Sequence, residues 1–435
     1  MSITRRNFIK AAGATAALAA VPGLVRGATA PPLNKVIVVG GGFAGSTVAK
    51  YIRLWSGGEV AVTLVDPSAS HVSCVLSNLV LNGRMSLSEL TIAHSKLGPY
   101  GVQNVQGQVT SIDPAARSVT VTSNDSTTTK LTGDRLILAM GIGFGAVPGW
   151  DPVKTTTIPH AWIAGQQTTI LRDQLRAMPA GGTFVMTVPK APYRCPPGPY
   201  ERACVVADII KRKGRGQVIV LDENDKIQAE KDTFDRAFKG IYKDIVTCHF
   251  NAKLVSVDAT NRKVNTSLGT FSGNVVNILP PHQAPDAVMK SGLVPTLEFW
   301  APVDPLTYES TLFPGVHVIG DSQATGQPKS AHMANSQAKV CADAIVRYSL
   351  GVTPAQVLND TERTANITTN SACYSPITYS EASWLTANFL YDTDTNSKTY
   401  RNMKLVHLGE AEKWDGENFE DMFTWASNLF TDSFT

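Results

Sequence analysis

The stretch Lys35-Val36-Ile37-Val38-Val39-Gly40-Gly41-Gly42-Phe43-Ala44-Gly45 decides the fold of this 435-residue chain. Its first five residues are typical of a buried strand, and the pattern after the glycines predicts a helix. A second predicted strand, 61–65, ends at Asp66. A strand, a glycine turn, a helix and a strand that ends in an acid form the dinucleotide-binding fingerprint. Gly40 makes the turn, Gly42 admits a pyrophosphate, and Asp66 binds ribose hydroxyls.

Apolar runs predict further strands along the chain, with helical patterns between several of them. These strands are 135–139, 183–188, 217–221, 274–279 and 316–319. Helices that alternate with strands indicate the α/β class with parallel sheets. The last segment, 362–435, lacks this alternation, and we expect it to form an irregular α+β cap.

The run Tyr193-Arg194-Cys195-Pro196-Pro197-Gly198-Pro199-Tyr200 follows the predicted strand 183–188, where a second glycine fingerprint would be expected. Proline removes amide donors, and the lack of glycine prevents the close approach of a pyrophosphate. A nicotinamide cofactor therefore has little to bind to. A helix is predicted from about Pro199, and its N-terminus together with Arg194 favours the thiolate form of Cys195.

Residues 1–30 are predicted to be an export signal. The segment Thr4-Arg5-Arg6-Asn7-Phe8-Ile9-Lys10 is followed by the uncharged stretch 11–25 and by Ala28-Thr29-Ala30. A charged start, a short apolar core and a small-residue end describe a signal peptide. Paired arginines indicate the twin-arginine route, and hence the periplasm. A membrane anchor fits less well, because about 20 apolar residues are needed to span a bilayer.

Charge and cysteine content exclude several classes of protein. The formal net charge of +3 includes four basic residues of the leader, which has no acids, so the remainder of the chain carries −1. A near-neutral chain argues against nucleic acid as a partner. Six cysteines are too few for a disulfide scaffold. No group of His, Cys and Asp has the spacing of a metal site.

Four stretches together resemble the flavoprotein subunit of flavocytochrome c sulfide dehydrogenase, within the glutathione-reductase-like FAD family. They are His71-Val72-Ser73-Cys74-Val75-Leu76-Ser77-Asn78, Arg194-Cys195-Pro196-Pro197-Gly198-Pro199-Tyr200-Glu201-Arg202-Ala203, Val318-Ile319-Gly320-Asp321 and Ala372-Cys373-Tyr374-Ser375. The resemblance covers the chain after the leader. It implies two Rossmann-like domains of the glutathione-reductase type and a C-terminal α+β interface domain.

The resemblance also implies where these domains lie. An FAD-binding domain would be built from 34–150 and 291–361. A second Rossmann-like domain without an NAD motif would occupy 151–290, and a C-terminal cap or interface domain would occupy 362–435. The signal peptide, 1–30, precedes them.

The cofactor implied by the resemblance is FAD, and Cys74 would bond covalently to the flavin through a thioether. The structural alternative for Cys74 is a half-buried loop thiol. Asp321 would bind the ribityl chain, and the helix that opens near Lys329 would point its positive end at the flavin. The residues implied to bind the cofactor are Gly40, Gly42, Gly45, Asp66, Cys74, Asp321 and Lys329.

The catalytic residues implied by the resemblance are Cys195, Cys373 and Glu201. The two cysteines would form a redox-active disulfide beside the flavin, although nothing in their sequence spacing shows this pairing. Glu201 would transfer the proton of hydrogen sulfide. An acid in the first turn of a helix also commonly stabilises the helix dipole, so a catalytic and a purely structural role of Glu201 both stay open.

The implied activity is a periplasmic sulfide dehydrogenase that forms zero-valent sulfur or polysulfide. Its electrons would pass to a c-type cytochrome subunit, which carries haem c and forms a heterodimer with this chain. Two alternatives stay open: a sulfide:quinone oxidoreductase-like enzyme and a non-catalytic exported flavin carrier. The helical pattern after Trp414 is rich in acids and has no basic residue, which argues against a stable membrane anchor.

Overall fold

The computed structural model describes residues 33–153, 156–399 and 401–435, so the predicted leader 1–30 lies outside the described residues. The strands β1 to β22 are, in order, Lys35–Val39, Ala61–Asp66, Ser70–Val72, Thr91–Ala93, Gln103–Gln106, Gln108–Asp113, Ser118–Thr122, Thr128–Thr132, Arg135–Leu138, Gly143–Phe144, Thr183–Val188, Gln217–Asp222, Val246–Phe250, Leu254–Asp258, Lys263–Thr266, Gly269–Ser272, Val275–Asn277, His282–Gln283, Val316–Val318, Thr368–Pro376, Ala382–Tyr391 and Met403–Glu410. The helices α1 to α10 are Phe43–Trp55, Asn78–Leu81, Gln166–Ala177, Gly198–Arg212, Lys231–Lys239, Asp286–Lys290, Ala331–Ser349, Pro354–Asn359, Thr361–Asn366 and Gly416–Phe434. Two 3-10 segments, His94–Tyr100 and Gly320–Ser322, complete the list.

A five-stranded parallel sheet carries the glycine turn at the end of its central strand. Its strand order is β19-β9-β1-β2-β5, and Val38 of β1 lies opposite Leu64 of β2 and Ile137 of β9. All three side chains are buried, as the central strands of a parallel sheet require. β19 joins this sheet from far along the chain, so the sheet is assembled from two separate segments.

A second parallel sheet repeats the same arrangement, with strand order β13-β12-β11-β17. α4 follows β11 as α1 follows β1, and β12 ends at Asp222 as β2 ends at Asp66. β17 is shorter than the predicted strand 274–279. The amide of Ile278 donates to a loop carbonyl and that of Leu279 donates to Thr187 Oγ1, so these residues do not pair with a neighbouring strand.

The C-terminal segment forms a regular antiparallel sheet, β20-β21-β22, followed by the long helix α10. The ammonium group of Lys50, on α1, donates to the backbone oxygens of Thr431, Asp432 and Thr435. A cation at a helix C-terminus stabilises the helix dipole, so this contact fixes α10 against the first domain. Among the residues that the structure describes, no helix is long and apolar enough to cross a membrane.

Candidate active site

An open cavity lies along the carboxyl ends of the strands of the first sheet, and its volume is about 1770 Å³ when the solvent at its mouth is included. We call it the dinucleotide cavity, because ligands of parallel α/β sheets bind at this edge. Its lining includes five of the expected cofactor residues, Gly40, Gly42, Asp66, Cys74 and Asp321. Gly45 and Lys329 are not part of this lining.

The glycine turn is shaped by positions that have no room for a side chain. Gly40 has φ of +100°, and a Cβ on it would lie 2.4 Å from the carbonyl oxygen of Ala139. A Cβ on Gly45 would lie 1.7 Å from the carbonyl oxygen of Gly40. Gly45 therefore lets α1 pack closely against the glycine turn that follows β1.

Asp66 and His94 hold the glycine turn from two sides. The Asp66 carboxylate accepts the Gly41 N–H at 2.6 Å and the Ser68 N–H at 2.9 Å. His94 Nε2 lies 2.9 Å from the carbonyl oxygen of Gly41. A Cβ on Gly41 would lie 2.3 Å from this nitrogen, so the turn has a fixed position against the ring.

Asp321 lies at the other end of the dinucleotide cavity, directly after β19. Arg194 Nε donates to Asp321 Oδ2 at 2.6 Å, and both side chains are largely buried. α7 begins beside them, where Ser330 Oγ accepts the Met333 N–H at 3.1 Å. Because Ser330 also lines the cavity, the positive end of this helix faces it.

Lys329 has a different role from the predicted one. Its ammonium group donates to the carbonyl oxygens of Asp321 at 2.7 Å and Gln323 at 2.8 Å, and it lies 3.6 Å from the centre of the Trp300 ring. Burial lowers the pKa of Lys329 to about 8. The side chain stabilises the Asp321 turn, and the neighbouring Ser330 reaches the cavity instead.

The residues around the dinucleotide cavity fit FAD. A Cβ on Gly42 would meet nothing closer than the His71 ring at 3.5 Å, so the backbone at Gly42 is open to a ligand. His71 lines the cavity with a buried Nε2 that has no hydrogen-bond partner among the described residues. Burial lowers the pKa of His71 to about 3, so its ring is neutral. An open glycine turn at a helix N-terminus suits a pyrophosphate.

A second cavity, which we call the sulfur cavity, brings the three expected cysteines together. Cys74, Cys195 and Cys373 line it with Glu201. Cys74 and Arg194 line both cavities, so the two spaces meet at these side chains. All three cysteines are free thiols in the structure.

The position of Cys195 depends on its backbone and on Gly198. Its φ of +60° is rare for a residue other than glycine. Its N–H donates to the carbonyl oxygen of Lys329 at 2.7 Å, and its own carbonyl oxygen accepts the Gly198 N–H at 2.9 Å. A Cβ on Gly198 would lie 2.7 Å from Cys195 Sγ and 2.9 Å from the Trp162 ring. The thiol therefore needs glycine at this position.

Burial opposes the thiolate form that the helix N-terminus and Arg194 were expected to favour at Cys195. Burial raises the pKa of the Cys195 thiol well above its ordinary value, and Cys373 and Glu201 raise it further. Burial also raises the pKa of Cys373 to about 12. The guanidinium group of Arg194 is paired with Asp321, and its charge does not outweigh the burial of Cys195.

Glu201 lies in the first turn of α4 and is only 8% exposed. Its Oε1 accepts a hydrogen bond from Asn78 Nδ2 at 2.9 Å. Burial raises the pKa of Glu201 to about 7, against the opposing effects of the Asn78 bond and the Arg202 charge. A carboxyl group that titrates near neutral pH can both accept and donate a proton under working conditions.

Arg202 also lines the sulfur cavity, although no role was predicted for it from the sequence. It is 2% exposed, yet it lines the cavity and lies 4.6 Å from the centre of the Trp162 ring. The only sequence signal was a charged residue beside Glu201 in an otherwise apolar part of a helix. Its hydrogen bonds go to Asn78 Oδ1, Asn277 Oδ1 and the carbonyl oxygens of His160 and Ala161.

The acid that ends β12 is not free to bind a ribose. Asp222 has the same place in the second sheet as Asp66 in the first, but it is fully buried. Its carboxylate accepts the Tyr200 hydroxyl at 2.7 Å and the Asn224 N–H at 2.9 Å. The second sheet therefore lacks both the glycine fingerprint and a free acid for the ribose. Both observations argue against the binding of a nicotinamide cofactor at this sheet.

Known proteins match the chain in several segments. Residues 168–280 match the central part of the sulfide dehydrogenase (flavocytochrome c) flavoprotein chain, and residues 34–170 match the pyridine nucleotide-disulphide oxidoreductases. The flavoprotein chain of this sulfide dehydrogenase from Chlorobaculum thiosulfatiphilum is 48% identical over 47 residues, which are 11% of this chain and 96% of that sequence. The chain belongs to this flavoprotein family. Residues 2–22 match the signal sequence of the twin-arginine translocation pathway, which supports export to the periplasm.

Sulfide:quinone oxidoreductases are also similar to this family member. The mitochondrial protein of Dictyostelium discoideum is 22% identical over 339 residues, covering 74% of this chain and 72% of its own. The solved structure from Aquifex aeolicus has a TM-score of 0.71 at 16% identity, covering 92% of this chain and 91% of its own. The predicted α/β class with Rossmann-type domains is confirmed. The family assignment supports an FAD-dependent oxidoreductase that acts on sulfide.

Proposed function

We propose that the protein is the flavoprotein subunit of a periplasmic sulfide dehydrogenase that oxidises sulfide to zero-valent sulfur or polysulfide. The observation that carries this proposal is the meeting of Cys195, Cys373 and Glu201 in one cavity. This sulfur cavity joins the dinucleotide cavity at Cys74. Sulfur chemistry and the cofactor would therefore lie side by side.

The proposed reaction begins with a bond between the sulfurs of Cys195 and Cys373. Hydrosulfide attacks one of these sulfurs, so that a persulfide forms on that cysteine and the other cysteine leaves as a thiolate. A second hydrosulfide attacks the outer sulfur of the persulfide, releases a two-sulfur product and frees the first cysteine as a thiolate. The two thiolates lose two electrons when their bond forms again. Either cysteine could be the one attacked, since both line the cavity.

Glu201 accepts the proton that hydrogen sulfide loses on becoming the nucleophile. Its pKa of about 7, raised chiefly by burial, suits this transfer near neutral pH. Asn78 holds the carboxyl group in place through its side-chain amide. Gly198 leaves the space that the Cys195 sulfur occupies.

FAD, when bound, accepts the electron pair and passes the electrons on singly. Gly40, Gly42 and Asp66 would hold its ADP half, and Asp321 would bind the ribityl chain. Cys74 would attach the flavin through a thioether, which would keep the cofactor on the exported protein. The proposed acceptor is a c-type cytochrome subunit that carries haem c and forms a heterodimer with this chain.

A quinone-linked enzyme is the second candidate, because sulfide:quinone oxidoreductases match 74% of the chain. The surface of α10 favours the cytochrome-linked function. Its apolar residues Phe419, Met422 and Leu429 are buried against the rest of the chain, and Glu417 and Glu420 are exposed. Helices that bind anionic lipid carry basic residues on the polar side.

Anaerobic addition of sulfide to the FAD-loaded protein tests the proposal. We expect sulfide to bleach the oxidised flavin absorbance and NADH to leave it unchanged. Cys195→Ser and Cys373→Ser should abolish the bleaching. Cys248→Ser is the matched control, since this half-buried thiol lies on β13, away from the sulfur cavity. Bleaching by NADH and not by sulfide would overturn the proposal.

The acceptor is tested with the same preparation. Cytochrome c reduction by sulfide that is faster than the reduction of a short-chain quinone supports the cytochrome-linked function. The opposite order would assign the protein to the quinone-linked function.

A further inference from the structure

Glu230 is a second buried carboxyl group beside the sulfur cavity, and the proposed reaction gives it no role. It is 1% exposed and has φ of +48°. It precedes α5, but its side chain accepts no hydrogen bond from that helix. It instead accepts the Ser375 hydroxyl, and its Oε1 has no hydrogen-bond partner among the described residues. A buried carboxyl oxygen without a hydrogen bond is costly, and titratable groups with perturbed pKa values cluster at functional sites.

The register of the C-terminal sheet places Glu230 next to Cys373. Side chains of a strand alternate between its two faces, so Cys373 and Ser375 point to the same face of β20. Ser375 pairs with Ser383 of β21, and the hydrogen bond from the Ser375 hydroxyl lowers the pKa of Glu230. The carboxyl group therefore lies against the face of the sheet that carries the Cys373 thiol. After burial, the charge of Glu230 is the next cause of the raised pKa of Cys373.

The same face of the sheet leads to solvent at Glu410. Cys373 pairs with Leu385 of β21, and Leu385 pairs with Glu410 of β22. Directly opposite residues of antiparallel strands lie on one face, so these three side chains form a row. Glu410 is exposed, and its charge acts on the pKa of Glu230. Glu201 at the cavity, Glu230 in the interior and Glu410 at the surface thus form a series of carboxyl groups.

We propose that Glu230 relays the protons of sulfide oxidation from the sulfur cavity to solvent at Glu410. This inference rests on the proposed function. Each hydrogen sulfide that becomes zero-valent sulfur loses two electrons, which pass to FAD, and two protons, which must leave a buried cavity. Glu201 accepts a proton, a bridging water passes it to the Glu230 carboxylate, and Glu410 releases it. No bond other than O–H and S–H bonds changes in the relay.

The electrostatic surroundings of Glu230 suit this role. Four titratable groups interact electrostatically with Glu230. They are Glu201 and Cys204 of α4, Cys373 of β20 and Glu410 of β22. All of them are acids. Burial raises the pKa of Glu230 to about 7, the value that burial also gives Glu201. Two carboxyl groups with matched pKa values exchange a proton at little cost in free energy.

The Glu230→Gln variant of the FAD-loaded protein tests the relay. Stopped-flow bleaching by sulfide and proton release to an indicator dye are measured together from pH 5.5 to 8.5. We expect proton release to slow about tenfold, less than the roughly hundredfold or more that a proton-transfer group at the reacting atoms contributes, while the final bleaching is unchanged. The acidic limb of the rate profile should move to lower pH, because the charge of Glu230 adds to the burial that raises the pKa of Glu201.

Two further variants keep the test decisive. Glu230→Asp should restore proton release in part, and Glu298→Gln, an exposed acid, should leave it unchanged. Unchanged proton release and an unchanged pH profile in Glu230→Gln would overturn the relay and leave sulfide oxidation intact. If Glu230→Gln does not fold, the Glu410→Gln variant tests the relay instead. Proton release at the normal rate in Glu410→Gln would then overturn the relay. Failure of the unsubstituted protein to bleach with sulfide would instead overturn the proposed function, and the relay with it.

Discussion

Replacing Glu201 by Gln should make the stability of the protein less dependent on pH. Glu201 is buried, and Asn78 is its hydrogen-bond donor. Glutamine has the same shape, and its Oε1 can accept the same bond from Asn78. The substitution therefore removes the titration of the group while keeping its packing.

The structure gives both the sign and the size of the effect. Burial raises the pKa of Glu201 from 4.5 to about 7 in the folded protein. A raised pKa means that the folded state binds the proton more tightly than the unfolded state. The stability due to this group is complete below pH 4.5 and is lost as the pH rises through 7. The loss is about 3 kcal/mol, since each tenfold change in proton affinity is worth about 1.4 kcal/mol.

Urea unfolding at pH 5 and pH 8 measures this difference. The free energy of unfolding of Glu201→Gln relative to the unsubstituted protein should increase between the two pH values by about 2–3 kcal/mol. Glu298→Gln is the matched control, because its side chain is exposed, and its relative stability should be the same at both pH values. Glu230 titrates in both proteins, so its contribution largely cancels.

A relative stability that is equal at the two pH values would refute the reasoning. It would mean that Glu201 titrates near 4.5 in the folded protein and that burial does not control its proton. The same variant should oxidise sulfide about a hundredfold more slowly, as is typical for the loss of a general base. A stabilising substitution that removes activity would identify the burial of Glu201 as a functional feature.

Three further predictions concern the cofactor side of the site. Gly45→Ala places a Cβ 1.7 Å from the carbonyl oxygen of Gly40, so the purified variant should contain little FAD by its flavin absorbance; a normal FAD content would contradict the close packing of α1. Arg194→Met leaves the Asp321 carboxylate buried without its ion-pair partner, and equilibrium unfolding should show a loss of about 3–5 kcal/mol; an unchanged stability would contradict the importance of the pair. Cys74→Ser should release all FAD on denaturation, whereas mass spectrometry of the unsubstituted chain should show FAD attached; attachment in the variant would place the link elsewhere.

The parts of the fold that depend on nearby residues could be predicted from the sequence. The strands Lys35–Val39 and Thr183–Val188 have the predicted bounds. Apolar periodicity and glycine turns are properties of short segments, and they determine a strand–turn–helix unit directly. The strand predicted at 274–279 ends early at Asn277, because distant groups, among them the Thr187 hydroxyl, bind its last amides. Strand ends depend on partners that a local pattern does not contain.

Long-range contacts explain why Arg194 and Lys329 have other partners in the structure than their sequence neighbours suggested. Arg194 is next to Cys195 in the sequence, but its guanidinium group pairs with Asp321, 127 residues away. Lys329 precedes a helix, but two carbonyl groups hold its ammonium group. The sequence identified each charge without identifying its partner. A pKa depends on that partner and on burial, and burial opposes the thiolate form that the local sequence favours at Cys195.

Other residues of the site carried no specific signal. Glu230 lies in a polar stretch where an acid is usually exposed, and it is buried because β20 and β21 cover it. Arg202 follows Glu201 and could have been assigned to a solvated face of the helix. Cys373 entered only through the family resemblance, since no local pattern relates it to Cys195. The periodicity of a sequence does not show which residues of different domains come into contact.

The charges around the sulfur cavity favour an anionic substrate. Both Cys195 and Cys373 are neutral, since burial raises their pKa values, and Glu201 is protonated below about pH 7. Arg202 stays charged, because burial lowers its pKa only to about 10. Each hydrogen bond of Arg202 ends on an uncharged oxygen, so no carboxylate cancels its charge until Glu201 ionises. The proposed hydrosulfide substrate would supply the missing negative charge, and its attraction to Arg202 would then offset the unfavourable burial of this side chain.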